Sequence, residues 1–285
     1  MKDIPRLIVI AGPTASGKSD FAVELALTCN GEIISADSRQ LYKGLDIGTG
    51  KISVTEMKGI PHHMMDIILP TDTYSVLEYQ LRALPIITDI LARGKTPIIC
   101  GGTGQYIDAL MYDTRFPQVS PDTKLRALLA KLSTDELYHK LQSLDKRRAE
   151  DIDKHNRVRI IRALEIIASL GTVPVAKKES FRYATTMYLL SPTKKVLLER
   201  ISVRLEKRLI DGMLEEGRKL LTYTFSDAKI ASLGLEYIWM NKYLTNSCSY
   251  DEMKKQIITK SWQYAKRQMT WNKKYDDFVK KVEVE

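Results

Sequence analysis

The chain has 285 residues, which at about 150 per domain suggests two domains, or one with a sizeable insertion. Hydrophobic residues at 44% and charged residues at 28% are ordinary for a globular protein and exclude a disordered tail protein or a collagen-like repeat. Lys and Arg number 44 against 35 Asp and Glu, and the resulting +9 suits a polyanion such as nucleic acid, although many basic enzymes share it.

No apolar stretch approaches the roughly 18 residues of a membrane span, so no membrane partner is expected. Met1 to Arg6 carry an acid and a proline ahead of a strand-like run, unlike a signal peptide. Cys29, Cys100 and Cys248 are far apart, odd in number and without metal-ligand spacing, and read as reduced thiols of a cytoplasmic protein. Residues 6–11 form an apolar run without alternation, as in a strand buried on both faces. Gly12 to Ser19 is a turn-rich loop, and a helix follows to Asn30 with Phe21, Ala22, Leu25 and Ala26 on one face. A second strand opens at Ile33-Ile34 and ends at Ala36-Asp37. A helix over 75–93 leads to a third strand at Pro97–Cys100, which runs into Gly101-Gly102. From Pro121 the chain turns charged and helical in period as far as 170. Thr186–Leu190 is one more buried strand, and 195–222 and 250–272 read as long helices. Strands alternating with helices imply an α/β fold with a parallel sheet. The core is expected over 1–113 and 185–285, interrupted by a helical insertion at 114–184.

Gly12-Pro13-Thr14-Ala15-Ser16-Gly17-Lys18-Ser19 fits G-x-x-x-x-G-K-[ST] between a strand and a helix. Its glycines let the backbone curl so that several N–H groups meet one anion, and the helix adds its positive end. Lys18 supplies a compact charge, and the Ser19 hydroxyl can ligate Mg²⁺. Such a loop fixes the anion and not the reaction: a transferase that expels pyrophosphate can use it as well as a kinase. In an open parallel sheet, ligands bind beyond the carboxyl ends of the strands. Lys18 and Ser19, Asp37, and Thr103 of Gly101-Gly102-Thr103-Gly104 all sit at such ends. Asp37-Ser38-Arg39-Gln40 supplies a carboxylate able to take a proton or hold Mg²⁺, beside groups that could bond a base edge. As mere structure it would be an N-cap and a solvated turn, and the glycines a tight turn. Pro61-His62-His63 lacks a third ligand nearby and reads as a polar turn, not a metal site.

In order, these segments resemble the tRNA dimethylallyltransferase family over nearly the whole chain. The resemblance runs from Gly12–Ser19 through Ala36–Tyr42, Gly48-Thr49-Gly50-Lys51, Pro61-His62-His63 and Gly101–Tyr106. It continues through Arg159–Glu165, Leu198–Ile201 with Arg204, and Ala265–Trp271. It implies a phosphate-loop NTPase-like core. It also implies transfer of a dimethylallyl group to the exocyclic amine of the adenosine 3′ of a tRNA anticodon, with Mg²⁺ and loss of pyrophosphate. On the same basis dimethylallyl diphosphate lies in the Gly12–Ser19 loop, the general base is Asp37, and Thr103 contacts pyrophosphate and substrate. tRNA contacts fall on Asp37–Gln40, Arg126 and Val158-Arg159-Ile160-Ile161-Arg162. The partners implied are the anticodon stem-loop of tRNA and dimethylallyl diphosphate, for a monomeric enzyme. Arg39 and Arg208 stand where methionine is usual, and Gln105 where leucine is. Gly234-Leu235-Glu236-Tyr237 replaces a usual Gly-Tyr-Lys-Glu.

These residue types suit the chemistry. An exocyclic adenine amine is a poor nucleophile, so a carboxylate that removes its proton helps the attack. Departing pyrophosphate needs charge stabilisation from backbone N–H groups, Lys18 and Mg²⁺. The base must leave its loop for a pocket, and single-stranded loops are where proteins read RNA. Arg159 and Arg162 share a helix face, and Arg200, Arg204 and Arg208 recur every four residues. By themselves such rows read as solvated faces. The resemblance turns Arg159, Arg162, Arg200 and Arg204 toward phosphate contact and leaves Arg208 unassigned. Lys266-Arg267-Gln268, near Trp262 and Trp271, either line an RNA channel or staple the last helix. Three alternatives remain: an isopentenyltransferase for free adenine nucleotides, a phosphate-loop kinase or NTPase, and a non-catalytic RNA-binding module. The basic insertion argues against the first, and Lys18, Ser19, Asp37 and Thr103 argue against the last.

Overall fold

The computed structural model describes residues 6–174 and 180–283. Met1–Pro5, ahead of the first strand, and residues 175–179 of the expected insertion lie outside the described residues. The chain divides into two compact units, Met1–Asp113 with Ser180–Glu285, and Thr114–Glu179. Ser180 to Tyr183 belong to the first unit, where an isolated bridge joins Phe181 to Tyr112.

The first half of the first unit comprises β1 (Arg6–Ala11), α1 (Lys18–Cys29), β2 (Gly31–Ala36), β3 (His62–His63), α2 (Val76–Ala92), β4 (Thr96–Gly101) and α3 (Gly104–Met111). The second unit holds α4 (Thr123–Leu129), α5 (Thr134–Leu144), α6 (Lys146–Asp151) and α7 (Arg157–Leu170). The first unit resumes with β5 (Ala184–Leu190), α8 (Lys194–Ile210), α9 (Met213–Leu220), α10 (Asp227–Leu233), α11 (Leu235–Leu244), α12 (Tyr250–Asn272) and β6 (Val279–Val282).

The sheet is six-stranded, ordered β3-β2-β4-β1-β5-β6, and every pairing is parallel. Its apolar runs do not alternate because both faces are covered. Val9, Ile34 and Ile99 join a core with Tyr79 and Ile87 of α2 and Leu110 of α3. Ile10, Ile33 and Ile98 join Ala22, Val23 and Ala26 of α1 in another. The second unit has its own core, in which Leu137 and Leu141 of α5 meet Ile160 and Leu164 of α7. Capping boxes at Ser75/Glu78 and Ser133/Glu136 start α2 and α5 by satisfying otherwise orphaned N–H groups.

Three expectations need correction. The single helix over 195–222 is two, α8 and α9, broken where Gly212 takes a φ of +100° that a continuing helix cannot hold. Pro61-His62-His63 is not merely a turn: His62 and His63 pair with Ile33 and Ile34 as a short edge strand. The basic face of α8 is not solvated, since Arg208 is buried and Arg204 turns toward the anion loop. The helices α10 and α11 and the edge strand β6 have no clear signal in the sequence: α10 and β6 are only seven and four residues long, and the apolar residues of α11 run around the helix instead of along one face.

Candidate active site

The register decides which loops meet. Ala11 and Ala36 both pair with Gly101, so β1, β2 and β4 end level. The Gly12–Ser19 loop, Asp37 and Gly102-Thr103 therefore leave one sheet edge side by side. A Cβ at Gly101 would stand 2.3 Å from the Ala36 carbonyl oxygen, so only glycine lets the neighbouring strands end this close together. A cleft of about 980 Å³ opens there. Thr14 to Ala22, Asp37, Gln40, Gly101, Arg200, Arg204 and Gln268 are among its walls.

The anion loop turns through Ala15, φ +62°, and Gly17, φ +86°, before α1 begins at Lys18. Lys18 Nζ folds back to donate to Pro13 O at 2.6 Å and to Ser16 Oγ at 3.5 Å. Burial lowers its pKa to about 8, against the pull of Cys100 and Asp37 and with the help of Arg204. An incoming anion would relieve that penalty. Arg204 Nη2 donates to Thr14 Oγ1 at 2.6 Å, placing a second cation on the loop. Burial and the neighbouring Arg208 disfavour its charged form, but a guanidinium keeps its proton at neutral pH. Ser19 lines the same cleft at the start of α1. Among the described residues no group of three or more His, Cys, Asp and Glu side chains could hold a metal. The Ser19 hydroxyl and the Asp37 carboxylate are by themselves too few donors for a resident ion. They suit Mg²⁺ that arrives on a diphosphate and keeps several waters.

Asp37 Oδ1 accepts from Arg39 N at 2.9 Å, an Asx turn that fixes the carboxylate at the strand end. Thr103 Oγ1 accepts from Ser38 N at 3.0 Å, and Thr103 N donates to Ala36 O at 3.0 Å. The loops after β2 and β4 are thus knit together, with carboxylate and hydroxyl as neighbours. Gln40 is held by Ser35 Oγ at 2.8 Å and lines the cleft.

Sequence reasoning does not name Tyr264 or Glu216, and it names Gln268 and Arg208 without their places. Gln268 follows Lys266 and Arg267 in the basic run, yet it is buried: Oε1 accepts from Thr14 N at 2.7 Å and Nε2 donates to Gly102 O at 3.0 Å. One amide thereby clamps the loops after β1 and β4. Tyr264, a turn earlier on α12, bonds Thr103, and burial pushes its phenol up to about 12. Glu216 accepts from Asp46 N, Ile47 N and Gly48 N at 2.7, 2.9 and 2.8 Å, and from Tyr237 Oη at 2.7 Å. Arg208 donates to Gly48 O at 3.3 Å. The signal for Gln268 and Tyr264 is their four-residue spacing on one helix face; Glu216 offers none.

Lys266 and Arg267 are exposed beside Trp271 and Lys274 in a second, open depression. In the second unit Val158 and Arg159 are exposed at the start of α7. Ile160 is fully buried in that unit's core, so its side chain offers nothing to RNA, contrary to expectation, and Ile161 is half-buried. Arg126 grips Glu165 through Nε and Nη2 at 2.6 and 2.7 Å. Arg162 bonds the same carboxylate at 3.4 Å and Val119 O at 2.7 Å. Burial pushes Glu165 up, but Arg126 and the Asp122 amide more than offset it, and its pKa falls below the usual value.

A family model described as IPP transferase matches residues 40–275, and one described as isopentenyl transferase matches 5–67. A tRNA dimethylallyltransferase of Geobacillus thermodenitrificans is 39% identical over 93% of this chain and 87% of its own. That of Staphylococcus haemolyticus is 38% identical over 96% and 86%. The crystal structure of the full-length tRNA isopentenylpyrophosphate transferase of Bacillus halodurans superposes with a TM-score of 0.72 at 35% identity, covering 98% of this chain and 89% of that one. A eukaryotic dimethylallyltransferase acting on tRNA gives 0.83 at 26% identity, covering 98% and 74%. With a model match across most of its length and relatives this similar, the chain belongs to the IPP transferase family.

Proposed function

We infer that this chain transfers the dimethylallyl group of dimethylallyl diphosphate to the exocyclic amine of the adenosine 3′ of a tRNA anticodon, releasing pyrophosphate. One observation carries the reading: an anion loop armed with Lys18 and Arg204 shares a single cleft with Asp37, whose loop is bonded to Thr103 at the end of the strand between them. A kinase or NTPase also uses such a loop with a carboxylate at a strand end, and membership of the IPP transferase family is what favours alkyl transfer here.

In the proposed reaction the amine lone pair attacks the allylic carbon bonded to the diphosphate. The carbon–oxygen bond breaks, its electrons leave with pyrophosphate, and the amine proton passes to the Asp37 carboxylate. Lys18, Arg204 and the loop N–H groups hold the diphosphate and receive the charge that develops on it. Mg²⁺ bound with the substrate would neutralise phosphate charge, with the Ser19 hydroxyl as its protein donor. Thr103 and Gln40 stand where the acceptor base would enter. Arg159 on α7, with the apolar Val158 exposed beside it, and Lys266 and Arg267 on α12 are the exposed groups offered to tRNA, the three cations to its phosphates. Arg126 and Arg162 are partly engaged by Glu165. Cytoplasmic residence accords with free cysteines and with the absence of any membrane-crossing helix among the described residues.

The test is transfer of label from dimethylallyl diphosphate, with Mg²⁺, to unmodified tRNA, with AMP and ATP as parallel acceptors. Label on the adenosine beside the anticodon is the expected outcome. Label on free nucleotide alone would refute the tRNA substrate, and ATP hydrolysis without any transfer would refute the reaction.

A further inference from the structure

Two side chains at positions where the sequence leaves the family's usual pattern meet each other. Arg208, in place of methionine, and Glu236, in place of lysine, approach to 3.6 Å with side chains only 10% and 15% exposed. The Arg208 guanidinium presses on the Gly48-Thr49-Gly50 segment. It bonds Gly48 O, and a Cβ at Gly50 would stand 1.6 Å from Nη2. The same segment borders the cleft, whose walls include Thr49 and Gly50. Arg204, one turn earlier on α8, holds the anion loop itself. An uncompensated cation at 208 would therefore add to the field of Lys18 and Arg204. In the usual pattern, methionine with Tyr-Lys-Glu carries one cation and one anion. Arg208 with Leu235-Glu236-Tyr237 also carries one of each, with the cation moved onto α8.

We propose that Arg208 and Glu236 form a compensated pair that sets the charge of the diphosphate cleft. Glu236 cancels Arg208, so the substrate is held through Lys18 and Arg204 and the pyrophosphate product can still leave. Both act on the anion through the cleft's field and wall, which makes them positioning residues.

The pair has this role only if the cleft holds a diphosphate, as proposed above, so the unaltered protein is first titrated calorimetrically with inorganic pyrophosphate and Mg²⁺. No binding would overturn both readings. Given binding, Arg208→Met should weaken it about tenfold, because Glu236 then competes for Arg204; a unit charge within roughly 10 Å of a partly buried site has an effect of that order. Glu236→Gln should tighten binding by a similar factor and slow turnover through product retention. The double variant R208M/E236Q should return to within about threefold of the unaltered protein. Single variants that both weaken binding would mark a merely structural pair and overturn the inference, while leaving the diphosphate site intact. Should Arg208→Met fail to fold, Arg208→Lys decides. Retained affinity follows from the kept charge, and a tenfold loss would overturn the inference.

Discussion

Replacing Glu216 by glutamine changes one carboxylate oxygen to an amide nitrogen and leaves the shape alone. In the native protein four donors converge on that carboxylate, three of them backbone N–H groups of Asp46, Ile47 and Gly48 and the fourth the Tyr237 hydroxyl. Glutamine keeps one oxygen, enough for two of them. Its NH₂ must then face either the Asp46 and Ile47 amides or the Gly48 amide with the tyrosine. The tyrosine can turn its hydroxyl to accept, so the second choice is better and strands one buried N–H. Losing the charge-assisted character of the bonds and leaving that N–H unmet should together cost about 3 kcal/mol. Against a total of roughly 5–15 kcal/mol for a folded domain, this is a large fraction. Chemical denaturation of Glu216→Gln should show it directly, and thermal unfolding should drop by about 6–12 °C at roughly 2–4 °C per kcal/mol. Tyr237→Phe should cost less, because it removes one donor and leaves the three amides paired. A Glu216→Gln protein within about 1 kcal/mol of the original would refute the view that this carboxylate fixes the 46–48 segment.

Asp37→Ala should lower kcat by on the order of 100-fold or more while tRNA binding stays largely intact, as measured by single-turnover transfer and filter binding. Unchanged turnover would remove Asp37 from the base role. Lys18 titrates near 8 in the free cleft, and a bound diphosphate raises that value, so binding takes up a proton above pH 8. Affinity for dimethylallyl diphosphate should thus be full below about pH 8 and fall as pH rises through it; a flat profile from pH 7 to 10 would contradict this, and Lys18→Arg should flatten it. Glu165→Gln should loosen the second unit by about 2–3 kcal/mol, since Arg126, Arg162 and the Asp122 amide all depend on one buried carboxylate. Faster hydrogen exchange confined to α4 and α7 would reveal it, and unchanged exchange there would count against it.

Much of the sheet is legible in the sequence because both its faces are buried: β1, β2 and β4 are apolar runs bounded by glycine-rich turns, and short-range pattern suffices to find them. The anion loop, Asp37 and Thr103 are legible for the same reason, since strand ends in a parallel sheet converge on one edge. What cannot be read is the contribution of the C-terminal helices. Gln268 reaches back 254 positions to Thr14, and Glu216 reaches 168 to Gly48. Neither contact leaves any trace in local periodicity. Arg204 and Arg208 mislead for a related reason: a row of arginines looks solvated until the partner that buries it is known. Ile160 shows the converse error, in which a motif carried along whole assigns a contact to a residue whose side chain faces the core.

The level ending of β1, β4 and β2 also works as a ruler. Neighbouring strands lie about 4.8 Å apart, so the loops after β1 and β2 are held about 10 Å from each other with β4 between them. That span leaves room for a reacting carbon and its diphosphate between the anion loop and a base at Asp37. With Asp37 as the base, the strand from which it hangs sets how far from the anion loop the proton is taken up; on β4 it would stand one gap nearer.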